Sequence, residues 1–230
     1  MVFGICLAAL LYVIVGYPLL LAVLARWRGR PAAKGRMEPT VSVILPAHNG
    51  ERWIGQKLES IFGLAYPRDK MQVLVVVDGS TDRTKEIASR FPVELVVLEQ
   101  KSGKAVALNR ALEQARHEIL FFTDVRQPLA PESLQHLVNG FADPQVGVVT
   151  GELIILDGTT EEEANVGLYW KYEKWIRKHL SRVDSVLGAT GCIYAMRRSL
   201  AKPIPAGTLL DDVYQPLQAF FAGYRIVMEE

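Results

Sequence analysis

The chain has 230 residues, a formal net charge of +1 and two cysteines, Cys6 and Cys192, far apart and in unlike surroundings. That length holds one sizeable α/β domain plus an appendage. The near-neutral charge gives no case for a nucleic-acid partner, and the cysteines suggest neither a disulfide framework nor a CxxC metal site.

Hydrophobicity is concentrated at the start, where Met1 to Ala25 carries no charged side chain. As a helix this stretch would run about 37 Å, long enough for the ~30 Å hydrocarbon core of a bilayer. Pro18 is tolerated in such a helix. A cleaved signal peptide is the rival reading, but it would want a basic leader and a shorter apolar core. Arg26, Arg28, Arg30, Lys34 and Arg36 follow directly, so the positive-inside rule leaves the remainder in the cytoplasm. Residues 1–25 are therefore expected to be a transmembrane helix, 26–40 a basic linker along the membrane, and 41–230 a globular domain.

From Val41 the pattern changes to short β-branched runs alternating with amphipathic stretches. Val41 to Leu45 predicts a strand, Pro46 to Glu51 a turn, and Arg52 to Phe62 a helix with Ile54, Leu58 and Ile61 on one face. Gln72 to Val77 predicts a strand buried on both faces. It stops at Asp78-Gly79, ahead of a helix over Arg83 to Arg90. In an open α/β sheet, ligands bind beyond the carboxyl ends of the strands, which would place Asp78 at a ligand. Capping of the following helix is an equally good reading of that residue alone. Strands are expected at 93–98, 118–122 and 147–150, and helices at 104–116 and 131–140. This alternation means βαβ units and a mostly parallel sheet.

The second half is less regular. Glu161 to Leu180 predicts a long helix with Tyr169, Trp170, Tyr172 and Trp175 among basic residues. Packing of these aromatics on the sheet is favoured over contact with the membrane interface. Ala189 to Met196 predicts a strand, Leu210 to Ala222 a helix and Arg225 to Met228 a last strand. The chain stops at Glu230 without a polar tail, which reads as a piece of a longer protein.

A carboxylate at a strand end or helix start recurs at Asp78, Asp124 and the pair Asp211-Asp212. Ionised carboxylates are costly to bring together without cations or ligands. A divalent cation on a diphosphate would offset them, and a hydroxyl nucleophile would use one as general base. Other nucleotide chemistries lack their marks. No GxGxxG follows a strand and no HExxH occurs. Lys101-Ser102-Gly103-Lys104 has Ala105 where a P-loop needs Ser or Thr. His48, His117, His136 and His179 are scattered and read as structural or surface histidines.

PAHNGE at 46–51, VVVDGSTD at 75–82, GKAVALNRAL at 103–112, FTDVRQPLAPE at 122–132, TGCIYAMRRSL at 190–200 and DDVYQPLQAFFAGYRI at 211–226 together resemble the family 2 inverting glycosyltransferases. This family includes membrane synthases of cellulose, hyaluronan and poly-N-acetylglucosamine. The resemblance implies a GT-A fold, Rossmann-like, with a mostly parallel sheet flanked by helices, preceded here by one transmembrane helix. It implies a nucleotide-sugar-binding half at 41–150 and an acceptor-binding half at 151–230.

Residue by residue, the resemblance implies that Pro46, Ala47 and Glu51 cradle the nucleotide and that Asp78 contacts the nucleoside. Lys104 would lie near the donor, and Asp124 would hold the sugar nucleotide and a Mg²⁺ or Mn²⁺ ion. Asp212 would be the general base, and Thr190, Gly191, Cys192 and Asp211 would line the acceptor side. The implied donor is a UDP-sugar or similar, the implied acceptor a polysaccharide or lipid-linked glycan, and the setting the plasma membrane of a bacterium. Three departures stand out. Arg126 replaces the second acid of the DxD motif, His48 stands where tyrosine is frequent, and QxxRW is not found. Arg126 and the missing QxxRW motivate an alternative reading, a non-catalytic sugar-nucleotide-binding or scaffold subunit of a synthase complex.

Overall fold

The computed structural model describes residues 1–154 and 161–229, and for 161–166 and 168 the backbone course alone. Residues 155–160 and Glu230, which the expected acceptor half takes in, lie outside the described residues. The strands are β1 (Val41–Ala47), β2 (Met71–Asp78), β3 (Glu94–Leu98), β4 (Ile119–Thr123), β5 (Val146–Thr150), β6 (Ile193–Arg197) and β7 (Arg225–Met228). They form one sheet in the order β3-β2-β1-β4-β6-β5-β7. β6 runs antiparallel to both neighbours, while the other pairings are parallel.

The two-residue period of the strands explains the layering. Val41, Val43 and Leu45 of β1 point into one apolar cluster with Val73, Val75 and Val77 of β2. That cluster is closed by Ile54, Leu58 and Ile61 of α3 (Ile54–Phe62) and by Leu134 and Leu137 of α6 (Ser133–Asn139). Ile44, Leu74, Val76, Leu120 and Phe122 point the other way, onto Ala107, Leu108 and Ala111 of α5 (Lys104–Gln114) and Ala219 of α8 (Asp211–Phe221). Both faces of β1, β2 and β4 are thus buried, which is why their sequences read as continuous apolar runs. A short helix, α4 (Thr84–Ala88), follows β2.

At the start, α1 (Val2–Leu11), a π-helical turn at Tyr12–Gly16 and α2 (Tyr17–Arg28) make one rod. It is long and apolar enough to cross a membrane, with a mean hydropathy of 2.5 over its most apolar stretch. Its outer half is exposed, whereas Pro18 and Leu21 are buried where α2 lies along α7 (Glu161–Val183). The Tyr172 hydroxyl donates to Ile14 O at 2.9 Å, and Arg30 N–H donates to Arg182 O at 2.6 Å. Residues 29–40 contain no helix or strand, and Met37 N–H is held by Asn139 Oδ1 at 3.1 Å.

Two expectations are corrected here. The aromatics of α7 do not pack on the sheet. Tyr169 is exposed, Tyr172 reaches the rod, Trp170 donates to Leu153 O, and Trp175 lies against His179 with the ring centroids 3.9 Å apart and tilted by 37°. The helix is drawn to the apolar flank of α2, and only Leu180 among its described side chains joins the sheet cluster. Residues 189–192 are also not strand. Gly188, at φ +79°, turns the chain, and Thr190 N–H is held by Thr150 Oγ1 at 2.8 Å before β6 starts at Ile193.

Candidate active site

The chain lays down β1, β2 and β3 in one direction across the sheet, then crosses to β4 on the other side of β1. The carboxyl ends of β1 and β4 therefore flank the switch point, the place where open α/β sheets bind ligands. A cleft of about 330 Å³ opens there, lined by Pro46 and Ala47 at the end of β1 and His48 after it, Asp78 of β2, Gly103 and Lys104 at α5, and Asp124 to Gln127 after β4. Because β6 is antiparallel, it brings its first residues to this same rim, with Thr123 beside Ile193. The turn Thr190 to Cys192 and the start of α8 thus face the ends of the parallel strands.

Asp78 is buried, and its two carboxylate oxygens accept the N–H groups of Ser102 (2.7 Å) and Gly103 (2.8 Å). It fixes the entry to α5 and does not cap α4. Asp82 serves that helix instead, accepting from Thr84 N–H at 3.0 Å. The close approach of 100–103 to the end of β2 requires Gly79. At φ +55°, a Cβ there would lie 2.1 Å from Lys101 N. Gly79→Ala is expected to lower stability by roughly 1–3 kcal/mol and to weaken nucleotide binding, as read by urea unfolding and calorimetry on the detergent-solubilised chain.

Lys104 Nζ sits between two acids, 3.1 Å from Asp124 Oδ1 and 3.2 Å from Asp211 Oδ2. Burial works against its charge, but Asp124 and Asp211 outweigh burial and hold its pKa above the ordinary value. Asp211 is buried, and burial pushes its carboxyl pKa up. Lys104 pulls against that, while Asp212 and Asp124 add to it. Asp212 is half-buried and lies over the Thr190–Cys192 turn, so that a Cβ on Gly191 would come within 2.7 Å of Asp212 Oδ2. Among the described residues its carboxylate makes no ion pair. Beneath these acids Tyr194 stacks on Phe122 at 4.5 Å, its hydroxyl without a hydrogen-bond partner among the described residues. Burial, then the charges of Asp211, Asp212 and Asp124, push its pKa well up.

The site residues expected from sequence are mostly brought together. Pro46, Ala47, Asp78, Lys104 and Asp124 line the cleft, and Pro46, Lys104, Asp124, Gly191 and Asp211 close on one another beside it. Thr190 and Cys192 flank Gly191, the latter accepting Thr123 Oγ1 at its carbonyl. Glu51 lies apart from the cleft lining, accepting Arg83 N–H at 3.1 Å and pairing with its guanidinium. His48 has a definite role, its Nδ1–H donating to Asp78 O at 2.6 Å.

Sequence reasoning singled out Arg126 as a departure from the DxD motif, and the cleft does include it; Lys101 and Gln127, also in the lining, were not assigned there, and one residue beneath them was missed. Lys57 of α3 is 1% exposed, and its ammonium donates to Thr123 Oγ1 and Gln127 O, each at 2.6 Å. Burial pulls its pKa down to about 8, with Cys192 and Asp124 acting the other way. The signal was available, since position 57 falls on the same helical face as Ile54, Leu58 and Ile61.

A divalent cation is implied by the fold, and the donor set can be tested against it. No group of three or more His, Cys, Asp or Glu gathers among the described residues. Asp124 is partly exposed and borders the cleft, with one oxygen on Lys104. Magnesium is commonly held by one or two carboxylates, substrate phosphates and water. The residues therefore fit a cation bound through Asp124 and completed by a diphosphate.

A doubly wound sheet with an acid-edged cleft at its switch point, faced by a second acidic helix start, defines a GT-A glycosyltransferase domain. Residues 42–204 match the model of glycosyl transferase family 2, and the chain belongs to that family. It is 25% identical over 210 residues to probable glycosyltransferase YdaM of Bacillus subtilis, covering 82% of this chain and 48% of that protein. It is 30% identical over 116 residues to the poly-beta-1,6-N-acetyl-D-glucosamine synthase of Staphylococcus epidermidis, covering 48% of this chain and 28% of the synthase. The chain thus spans half or less of these relatives. Among solved structures, mannosyltransferase PcManGT from Pyrobaculum calidifontis, in complex with GDP-Man and Mn²⁺, superposes with a TM-score of 0.80 at 29% identity. That match covers 96% of this chain and 64% of the other.

Proposed function

We propose that this domain transfers a sugar, with inversion, from a nucleoside-diphosphate sugar to a glycan or lipid-linked acceptor hydroxyl. The observation that carries the reading is the convergence at one rim of Asp78, Lys104 and Asp124 on the donor side and Asp212 on the other. The nucleoside would lie along Pro46, Ala47 and the Asp78 end of the cleft, and the diphosphate toward Lys104 and Arg126. The ammonium and guanidinium offset its charge, and a cation at Asp124, when bound, would do the same for the leaving group. Asp212, which makes no ion pair among the described residues and lies over Gly191, takes the proton from the attacking hydroxyl. The apolar rod holds the domain at a membrane, on its cytoplasmic side. The relative in complex with GDP-Man and Mn²⁺ supports a nucleotide sugar with a divalent ion.

The test is release of nucleoside diphosphate from UDP-, GDP- and dTDP-sugars by the chain in membranes, with Mg²⁺ or Mn²⁺ and with EDTA. The expected result is release from one donor that EDTA suppresses and Asp124→Ala abolishes. Binding of nucleotide without release from any donor would favour a scaffold subunit.

A further inference from the structure

The least expected group in the domain is the buried ammonium of Lys57. A lysine is almost never fully buried unless paired, and taking an ammonium out of water costs several kcal/mol. Among the described residues no carboxylate is in hydrogen-bonding contact with Lys57. Its two partners are neutral oxygens, Thr123 Oγ1 and Gln127 O. The neighbours of α3 on this face are the aliphatic residues of the sheet cluster, among which a methionine would sit at less cost. Core packing therefore does not account for the residue.

Its position offers an account. Thr123 and Gln127 are the two ends of the turn that carries Asp124, Val125 and Arg126, and the ammonium ties both ends to α3 from below. Thr123 Oγ1 in turn donates to Cys192 O at 2.8 Å, on the turn over which Asp212 of α8 lies. Above, the Arg126 guanidinium lies 5.3 Å from the Trp53 ring, on the residue preceding α3. The chain offers few other restraints here, because residues 124–130 contain no helix or strand. A charged donor to a neutral acceptor is stronger than a neutral pair, which suits a clasp that must hold an irregular loop.

We propose that Lys57 is a positioning residue, fixing the Thr123–Gln127 turn so that Asp124 and Arg126 present a preformed site to the donor diphosphate. The turn part of this stands on geometry alone, and the donor part rests on the proposed function of the cleft.

The experiment uses the full chain in detergent, comparing wild type with Lys57→Met, which keeps length and loses the donor, and Lys57→Arg, which keeps a charged donor. Trypsin reads the turn without any substrate, because the exposed Arg126–Gln127 bond is a cleavage site that mass spectrometry can follow. Steady-state kinetics on the accepted nucleotide sugar reads the donor site. Loss of a charged hydrogen bond predicts that Lys57→Met is nicked at Arg126 ~10-fold faster or more, with donor KM raised ~10–100-fold and kcat changed less. Lys57→Arg is expected to recover part of both. A purely structural role would lower the active fraction, and so kcat, with KM unchanged.

Nicking and KM both near wild type in a folded Lys57→Met would overturn the proposal, and so would faster nicking with unchanged KM. Should Lys57→Met fail to fold, Thr123→Val, which removes one acceptor, is read the same way. Should wild type turn over no donor, the proposed function fails, while the nicking comparison still decides whether Lys57 sets the turn.

Discussion

Asp212→Asn is expected to cut sugar transfer by about 10²–10⁴-fold, the usual contribution of a general base, with nucleotide binding close to wild type. The substitution is nearly isosteric, so the packing of residue 212 over Gly191 survives and the Ala189 N–H bond to its carbonyl, at 2.8 Å, is untouched. The neighbouring acid is a poor substitute as base. Asp211 is buried and engaged by Lys104, while Asp212 is half-buried and free of cations among the described residues. Turnover with a saturating acceptor, set beside calorimetric titration with the nucleoside diphosphate, checks the assignment. A variant that keeps half the wild-type rate would remove Asp212 from the mechanism.

The second large effect is expected at Lys104. Lys104→Met would remove the proposed charge-assisted contact to the diphosphate, worth about 1.5–3 kcal/mol or a factor of ~10–100 in donor binding. It also leaves Asp211 buried without its cation. Burial already raises the Asp211 pKa, so the folded state binds more protons than the unfolded chain. Stability at this group then falls as pH rises above the ordinary aspartate value and through the raised folded one. Without Lys104 the folded pKa rises further and the loss at neutral pH grows. The melting-temperature gap between variant and wild type should therefore be widest near neutral pH and close on acidification. A gap independent of pH would mean that the loss lies in packing.

Much of this architecture was legible because buried parallel strands write themselves as β-branched runs, and because Asp78 and Asp124 punctuate two of them. What periodicity could not carry is partnership. Ile193 to Arg197 looks the same whether it runs with β4 or against it, yet the antiparallel choice is what places Thr190 to Cys192 at the rim. Hydrogen bonding to Thr150 and the Gly188 turn decide where that strand begins, and both are tertiary facts. The aromatics of α7 were read against the wrong neighbour, since nothing in their spacing announces that α2 folds back on them. Lys57 was passed over because a lysine in a helix is read as solvent-facing, although its phase among Ile54, Leu58 and Ile61 placed it inward. Glu51 follows the family motif but is engaged by the α4 entry turn, an allocation that only the fold could show.

The insertion of β6 between β4 and β5 also matters while the chain is being made. A four-stranded sheet, β3-β2-β1-β4, can close as soon as Thr123 has left the ribosome, but the outer edge of β4 then has no neighbour. That edge carries Phe121 and Phe122, and β5, the next strand to emerge, does not pair with it. It stays open until Ile193 to Arg197 arrives, an interval in which an unpaired apolar edge invites association between nascent chains. Residues 41–150 are therefore not expected to be a separate folding unit, and a soluble fragment of this protein is expected to need residues beyond Arg197.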